Sequence, residues 1–349
     1  MNPVQLLKEI VGIPSPSGKE ESLSGYLIEQ MNALGIKAYP DEAGNAVGVI
    51  GSGSRKILLV GHMDTVPGNI PVKVRGDLLF GRGAVDAKGP LAAFISAAAS
   101  IKDKIESSEW SVVIIGAVEE ECPTSRGARH LLAGHRPDYV VIGEPSSWQG
   151  ITIGYKGRLM ARYSHEQQMS HTASRSENPA ETALDYFCRL RELCTDYNKG
   201  RSLFHRLDIN LQSIKSLEDP FLQGIDMTIG FRIPAGYGID ELKKAAAGPR
   251  VRFYGEEQPI LAGRNNALVR ALIGSIRKHG GKAAFKVKTG TSDMNIIGNH
   301  YGVPIVAYGP GDSSQDHTPG EHISLEEYKK SIIILREALL TLIPPTLIP

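Results

Sequence analysis

Hydrophobic positions along this chain recur in two patterns. Short apolar runs end at a glycine or a polar cluster: AVGVI at 46–50, KILLV at 56–60, SVVIIGAV at 111–118, YVVIG at 139–143 and PIVAYG at 304–309. Such runs read as strands buried on both faces. Between them lie stretches of helical periodicity. Asn2-Pro3 before VQLLKEIVGI predicts a helix opened by proline, and Ser17 before KEESLSGYLIEQMNALG predicts one capped by serine, with IPSPSG between the two. PLAAFISAAASIKD from Pro90, SRGARHLLAG from Ser125 and the closing SLEEYKKSIIILREALLTL predict three more. Strands alternating with helices imply an α/β layer built on a mostly parallel sheet.

The middle of the chain follows a different pattern. From Tyr155 to Tyr254 the order is a strand (KGRLMARYS), a helix (NPAETALDYFCRLRELC), two strands (LDINLQSI and DMTIGFRIP), a helix (DELKKAAA) and a strand (RVRFYG). That β-α-β-β-α-β order makes a complete small α+β domain. Because the α/β style resumes at PIVAYG, residues 154–261 read as an insertion in a domain formed by 1–153 and 262–349. GSGS at 51–54 reads as a turn.

Composition narrows the function. The 349 residues suffice for two domains, and a formal net charge of +1 supplies no overall field for nucleic acid, which is therefore not an expected partner. Cys122, Cys188 and Cys194 are odd in number and lack C-x-x-C spacing, so neither a disulfide framework nor a thiolate zinc site is indicated. That usage fits a reducing, cytoplasmic setting. No apolar run reaches the roughly 18 residues needed to cross a bilayer, and no membrane association is expected.

In open α/β sheets, ligands bind beyond the carboxyl ends of the strands. KILLV runs into Gly61-His62-Met63-Asp64, SVVIIGAV into Glu119-Glu120-Glu121, YVVIG into Glu144, and PIVAYG leads on to Asp316-His317. Asp86, in GRGAVDAKGP, sits just before the helix expected from Pro90. Each feature alone has an ordinary reading. An isolated H-x-D is most often a turn pair, a run of glutamates is most often a solvated strand end, and an acid before a helix offsets its dipole. Jointly, two histidines and at least three carboxylates at one rim suit two divalent cations, with donor types that fit zinc, cobalt or manganese. Cations would also offset the repulsion among the three adjacent glutamates.

GHMDTVP, GRGAVDAKG, the Glu-Glu pair, GEPS and the C-terminal GPG followed by H-x-x-x-E (His317 to Glu321) together resemble the M20 family of co-catalytic zinc peptidases and deacylases. The likeness runs over essentially the whole chain. It implies a catalytic domain that binds two metals and an inserted lid and dimerisation domain. On that pattern His62, Asp86 and Glu144 hold one metal, Asp86, Glu121 and His317 hold the other, and Asp64 orients the His62 ring. The stretch ECPTSRG is one residue longer than is common, which leaves two registers. In one, Glu120 is the general base and Glu121 a ligand; in the other, the pair moves to Glu119 and Glu120.

The inserted segment resembles the family's lid as well. YKGRLMARYS followed by His171 implies a histidine that reaches the partner subunit's site in a homodimer. Arg232 in IGFRIP implies a grip on a substrate carboxylate, and TGTSDMN at 289–295, with Thr291 and Asp293, implies a loop lining the pocket. Within the family, the short chain, VEEEC and KTGTSDMN are most similar to the branch that frees lysine or ornithine from the amino-group carrier protein LysW. Arg277, Lys278, Lys282, Lys286 and Lys288 form an acid-free basic run that could meet an acidic carrier. A small-molecule deacylase of the acetylornithine or succinyl-diaminopimelate type, or a carboxypeptidase, would use the same centre. A noncatalytic metal-binding protein is the reading of another class.

Overall fold

Pro3 occupies the first helical position and the Asn2 side chain accepts the N–H of Val4, so α1 (Pro3–Gly12) starts as the proline signal predicts. The structure is a computed structural model describing residues 2–169 and 177–344. After α1 come α2 (Glu21–Ala33), β1 (Lys37–Pro40), β2 (Ala46–Ile50), β3 (Arg55–His62), β4 (Lys73–Arg75), β5 (Leu78–Phe80), α3 (Lys88–Ala99), α4 (Lys102–Glu106), β6 (Trp110–Ala117), α5 (Arg126–Gly134), β7 (Tyr139–Gly143) and β8 (Gly150–Tyr155). Then follow β9 (Gly157–Gln168), α6 (Pro179–Tyr197), β10 (Asp208–Glu218), β11 (Leu222–Ile233), α7 (Ile239–Ala246), β12 (Val251–Glu257) and β13 (Ile260–Leu261). The chain closes with α8 (Ala267–Lys278), β14 (Ala284–Lys288), α9 (Asp293–Tyr301), β15 (Ile305–Ala307), β16 (His322–Ser324) and α10 (Leu325–Leu342).

Two compact units result. One comprises the chain up to Gly154 with Ala262–Lys286 and the chain from Ile296 on; the other comprises Tyr155–Leu261 with Val287–Asn295. In the first, strands run in the order β1-β2-β6-β3-β7-β15-β8. The central four, β6, β3, β7 and β15, are parallel, while β1, β2 and β8 join antiparallel at the flanks. β6 is buried along its whole length, as its unbroken apolar run requires. α3 is buried from Lys88 to Ile95, and its Leu91, Phe94 and Ala98 share one core with residues of α1, α2, α8 and α10.

The second unit has the order β9-α6-β10-β11-α7-β12, with an antiparallel sheet ordered β10-β11-β9-β12. Burial alternates along β11, and its inward Ile225, Met227, Ile229 and Phe231 pack with Leu190 and Cys194 of α6 and Leu242 of α7. Gly157 is required where β9 begins, since a Cβ there would lie 2.5 Å from the Glu257 carbonyl oxygen.

Three local readings change. Ser17 is not the cap of α2: Glu20 is the residue before the helix and makes no side-chain cap bond, while the Ser17 hydroxyl donates to Asp64. The sequence reading missed β8 (Gly150–Tyr155), which follows directly on the turn closed by Gly150 N–H to the Ser147 carbonyl. TGTSDMN is only partly a loop, since Asp293 opens α9.

Candidate metal centre

The parallel register fixes which side chains leave the sheet together. His62 pairs with Ala117, and Gly61 pairs with Gly143, so His62, the turn after β6 and Glu144 emerge at neighbouring strand ends. Glu144 is buried there. β3 and β6 stay linked beyond their last pair, because Met63 N–H donates to the Ala117 carbonyl.

The turn carrying the three glutamates is held by its backbone. Val118 N–H donates to Asn45 Oδ1 at 3.0 Å and Glu119 N–H to Glu20 Oε1 at 3.2 Å. Glu120 and Glu121 N–H donate to the two oxygens of Asp64 at 3.0 and 2.9 Å. Four consecutive donors thus meet side-chain acceptors, three of the bonds being to carboxylates and so charge-assisted. α5 closes the loop behind them: Gly127 N–H donates to the Val118 carbonyl, and a Cβ at Gly127 would lie 2.5 Å from Asn45 Oδ1. Only glycine tolerates that approach.

The three glutamates then point to different partners. Glu119, at φ 60°, accepts from the Thr124 hydroxyl at 2.6 Å and from Arg126 Nε at 2.8 Å. Glu121 Oε1 lies 2.8 Å from His317 Nε2. Glu120 Oε2 lies 4.0 Å from His62 Nε2. Asp86 faces both histidines, with Oδ1 3.2 Å from His62 Nε2 and Oδ2 3.1 Å from His317 Nε2. One donor atom from each of His62, Asp86 and Glu121 falls within 4.8 Å of the others.

His62 Nδ1 lies 3.0 Å from the Asp64 backbone carbonyl and 3.5 Å from its carboxylate, so the ring is held chiefly by main chain. The carboxylate serves the Glu120-Glu121 backbone and the Ser17 hydroxyl, at 2.7 Å. Burial works against its charge, yet His62, Ser17 and the Glu121 N–H hold its pKa below the usual value.

This donor set fits a divalent cation. Hydrogen bonds that the His317 ring donates to Asp86 and Glu121 push its pKa up to about 10. Burial disfavours charge on His62, but Asp64 and Asp86 outweigh it and raise its pKa. Positive charge is stabilised at both rings by the carboxylates between them, and the two oxygens of Asp86 address different imidazoles.

In the second unit, Arg232 donates to the Thr291 hydroxyl at 3.2 Å, and Asp293 is buried. His171 lies outside the described residues. Sequence reasoning missed Glu20, Asn45, Ser17 and Arg126. The signal was present but ambiguous, since Ser17-x-x-Glu20 also has the form of a helix capping box.

A parallel-centred α/β sheet that brings two imidazoles and several carboxylates to its strand ends defines a class of metal-dependent enzyme. Residues 58–341 match the model of peptidase family M20/M25/M40, and the chain belongs to that family. It is 44% identical over 97% of its length to the LysW-lysine hydrolase of Deinococcus radiodurans, of which 96% is covered. It is 30% identical over 93% of its length to the LysW-lysine/LysW-ornithine hydrolase of Sulfurisphaera tokodaii, of which 90% is covered. The fold is that of an M20 family metallo-carboxypeptidase from Sulfolobus solfataricus, with a TM-score of 0.79 at 20% identity, covering 98% of this chain and 99% of the other. No helix among the described residues is long and apolar enough to cross a membrane.

Proposed function

We propose that the protein is a metal-dependent amidohydrolase that releases lysine, ornithine or both from the γ-carboxyl of the C-terminal glutamate of the carrier protein LysW, in cytoplasmic lysine and arginine biosynthesis. The observation that carries the substrate is the 44% identity, over 97% of this chain, to the Deinococcus LysW-lysine hydrolase. The chemistry is supported by the histidines and carboxylates meeting at Asp86.

We assign His62, Asp86 and Glu144 to one cation and Asp86, Glu121 and His317 to a second, with zinc or cobalt the ions best suited to these donors. Cations bound there would supply Lewis acidity toward the amide carbonyl and make water more acidic. Glu120 takes the proton of the attacking water and returns it to the leaving α-amine, breaking the C–N bond. Glu119, engaged with Thr124 and Arg126, supports the register in which Glu120 is the base and Glu121 the ligand. Arg232 binds the free carboxylate of the amino-acid product portion, and Thr291 and Asp293 line the substrate pocket. The protein acts as a homodimer through residues 154–261, and His171 donates a hydrogen bond to the developing oxyanion in the partner's site.

The test compares four substrate groups on zinc- or cobalt-reconstituted protein: LysW-lysine, LysW-ornithine, acyl amino acids and dipeptides. Turnover of one or both carrier conjugates far above the others is expected. Preferential turnover of acyl amino acids or dipeptides would replace the carrier reading with a small-molecule one.

A further inference from the structure

Asp86 can address two histidines only if the loop carrying it is held in place, and one side chain far along the chain holds it. Glu321 is 1% exposed, and its Oε1 accepts the backbone N–H groups of both Val85 (2.9 Å) and Asp86 (3.1 Å). Its Oε2 accepts from Arg82 at 2.8 Å, and Arg82 is itself anchored to the Gly68 carbonyl at 3.1 Å. The ordinary account of a buried glutamate is that it pairs with an arginine. That account covers one oxygen. The other accepts two charge-assisted bonds, one from the main chain of Val85 and one from that of Asp86, whose carboxylate lies between His62 and His317. Glu321 also follows His317 closely in sequence, so a single short segment supplies one imidazole and the anchor of the carboxylate that touches it.

We propose that Glu321 is a positioning residue for the metal centre, setting the place of Asp86 through its backbone rather than touching metal or substrate. The inference rests on the metal reading proposed above. Lengthening or removing this link moves both oxygens of Asp86 together, so the affinity of the pair of sites suffers more than the fold does.

The test uses metal-free full-length protein titrated with zinc and with cobalt against a chromogenic chelator, and follows the cobalt absorption spectrum and the thermal melting of the unloaded protein. Glu321→Asp keeps the charge but withdraws the oxygen by one methylene, and Glu321→Gln keeps an oxygen able to accept both N–H groups. Glu321→Asp and Glu321→Ala are expected to bind the weaker cation about 10- to 100-fold less tightly and to alter the cobalt spectrum. Glu321→Gln, which loses the Arg82 ion pair, is expected to melt earlier while binding metal nearly as wild type does. Should Glu321→Ala not fold, Glu321→Asp decides. Wild-type metal affinity in Glu321→Asp, with only a lowered melting temperature, would make Glu321 structural and overturn the proposal. Failure of the wild-type protein itself to bind either metal would instead remove the metal reading and this inference with it.

Discussion

Charge around Asp86 in the first unit is handled differently from charge in the second unit. In the second, acids meet fixed cations one to one: Arg162 with Asp226 at 2.6 Å, Lys156 with Asp208 at 2.6 Å, Arg250 with Glu177 at 2.9 Å, and Lys243 with Glu256. In the first, Asp86 and Glu121 face histidines, and Asp64 faces backbone N–H groups and a hydroxyl. A lysine or arginine neutralises an acid permanently, whereas imidazole can exchange its proton for a metal ion. The difference separates charge that holds a fold together from charge arranged to bind a cation.

The sharpest way to break that contrast is at the glutamate turn. Glu120→Gln removes the proposed proton acceptor but no proposed ligand, so turnover should fall about 10²- to 10⁴-fold with metal content unchanged. Glu119→Gln disturbs contacts to Thr124, Cys122 and the half-exposed Arg126, and should lose little activity. Metal analysis of both variants beside their rates checks the assignment. Loss of a cation from Glu120→Gln, with an inactive but fully loaded Glu119→Gln, would move base and ligand by one residue.

A second test asks whether the chemistry is confined to the first unit. His171→Ala should cost about 2.7 to 4 kcal/mol of transition-state stabilisation if that ring donates to the oxyanion. Mixing it with Glu120→Gln under conditions of proven subunit exchange should restore one working site per heterodimer. Exchange without recovery would place His171 in its own subunit's chemistry, or outside the chemistry altogether.

Much of this was legible in the sequence because the sheet does the placing. Once KILLV, SVVIIGAV and YVVIG are read as parallel strands, His62, the glutamate turn and Glu144 must share a rim. The β-α-β-β-α-β order was equally plain, since its periods of 2 and 3.6 alternate cleanly. The supporting residues were not legible. Ser17 and Glu20 have the spacing of a helix cap, and nothing local says that their oxygens instead serve Asp64 and Glu119 on another strand end. Asn45 accepts a backbone N–H from Val118, a partner distant in sequence, and so leaves no pattern to read.

Within the second unit, the contrast predicts stability effects without functional ones. Lys156 is 0% exposed and its ammonium is held by Asp208, which is 40% exposed. Breaking a buried ion pair typically costs about 3–5 kcal/mol, but water reaching Asp208 and the Arg206 carbonyl that Lys156 also touches should reduce this to about 1–2 kcal/mol. Asp208→Asn should therefore lower the melting temperature by several degrees and leave metal affinity as it was. A change in metal affinity at constant stability would erase the distinction between the two kinds of charge.

The smallest expected effect concerns the basic run before TGTSDMN. Lys278 is engaged by Glu337 at 3.1 Å and Lys288 lies 5.9 Å from the centre of the Tyr155 ring, so Lys282 and Lys286 are the better candidates to meet an acidic carrier. Lys282→Glu with Lys286→Glu should raise KM for the LysW conjugate several-fold while leaving kcat on a minimal γ-glutamyl-lysine analogue nearly unchanged. Surface charge acts mainly through encounter and orientation, so the effect should shrink as salt is raised and the Debye length falls below about 10 Å. Equal loss on both substrates would mean that the substitutions disturb strand β14 itself rather than a docking surface. No loss on either would make these lysines ordinary solvated charge, paired with nothing the enzyme needs, and would leave the carrier to be recognised elsewhere on the molecule.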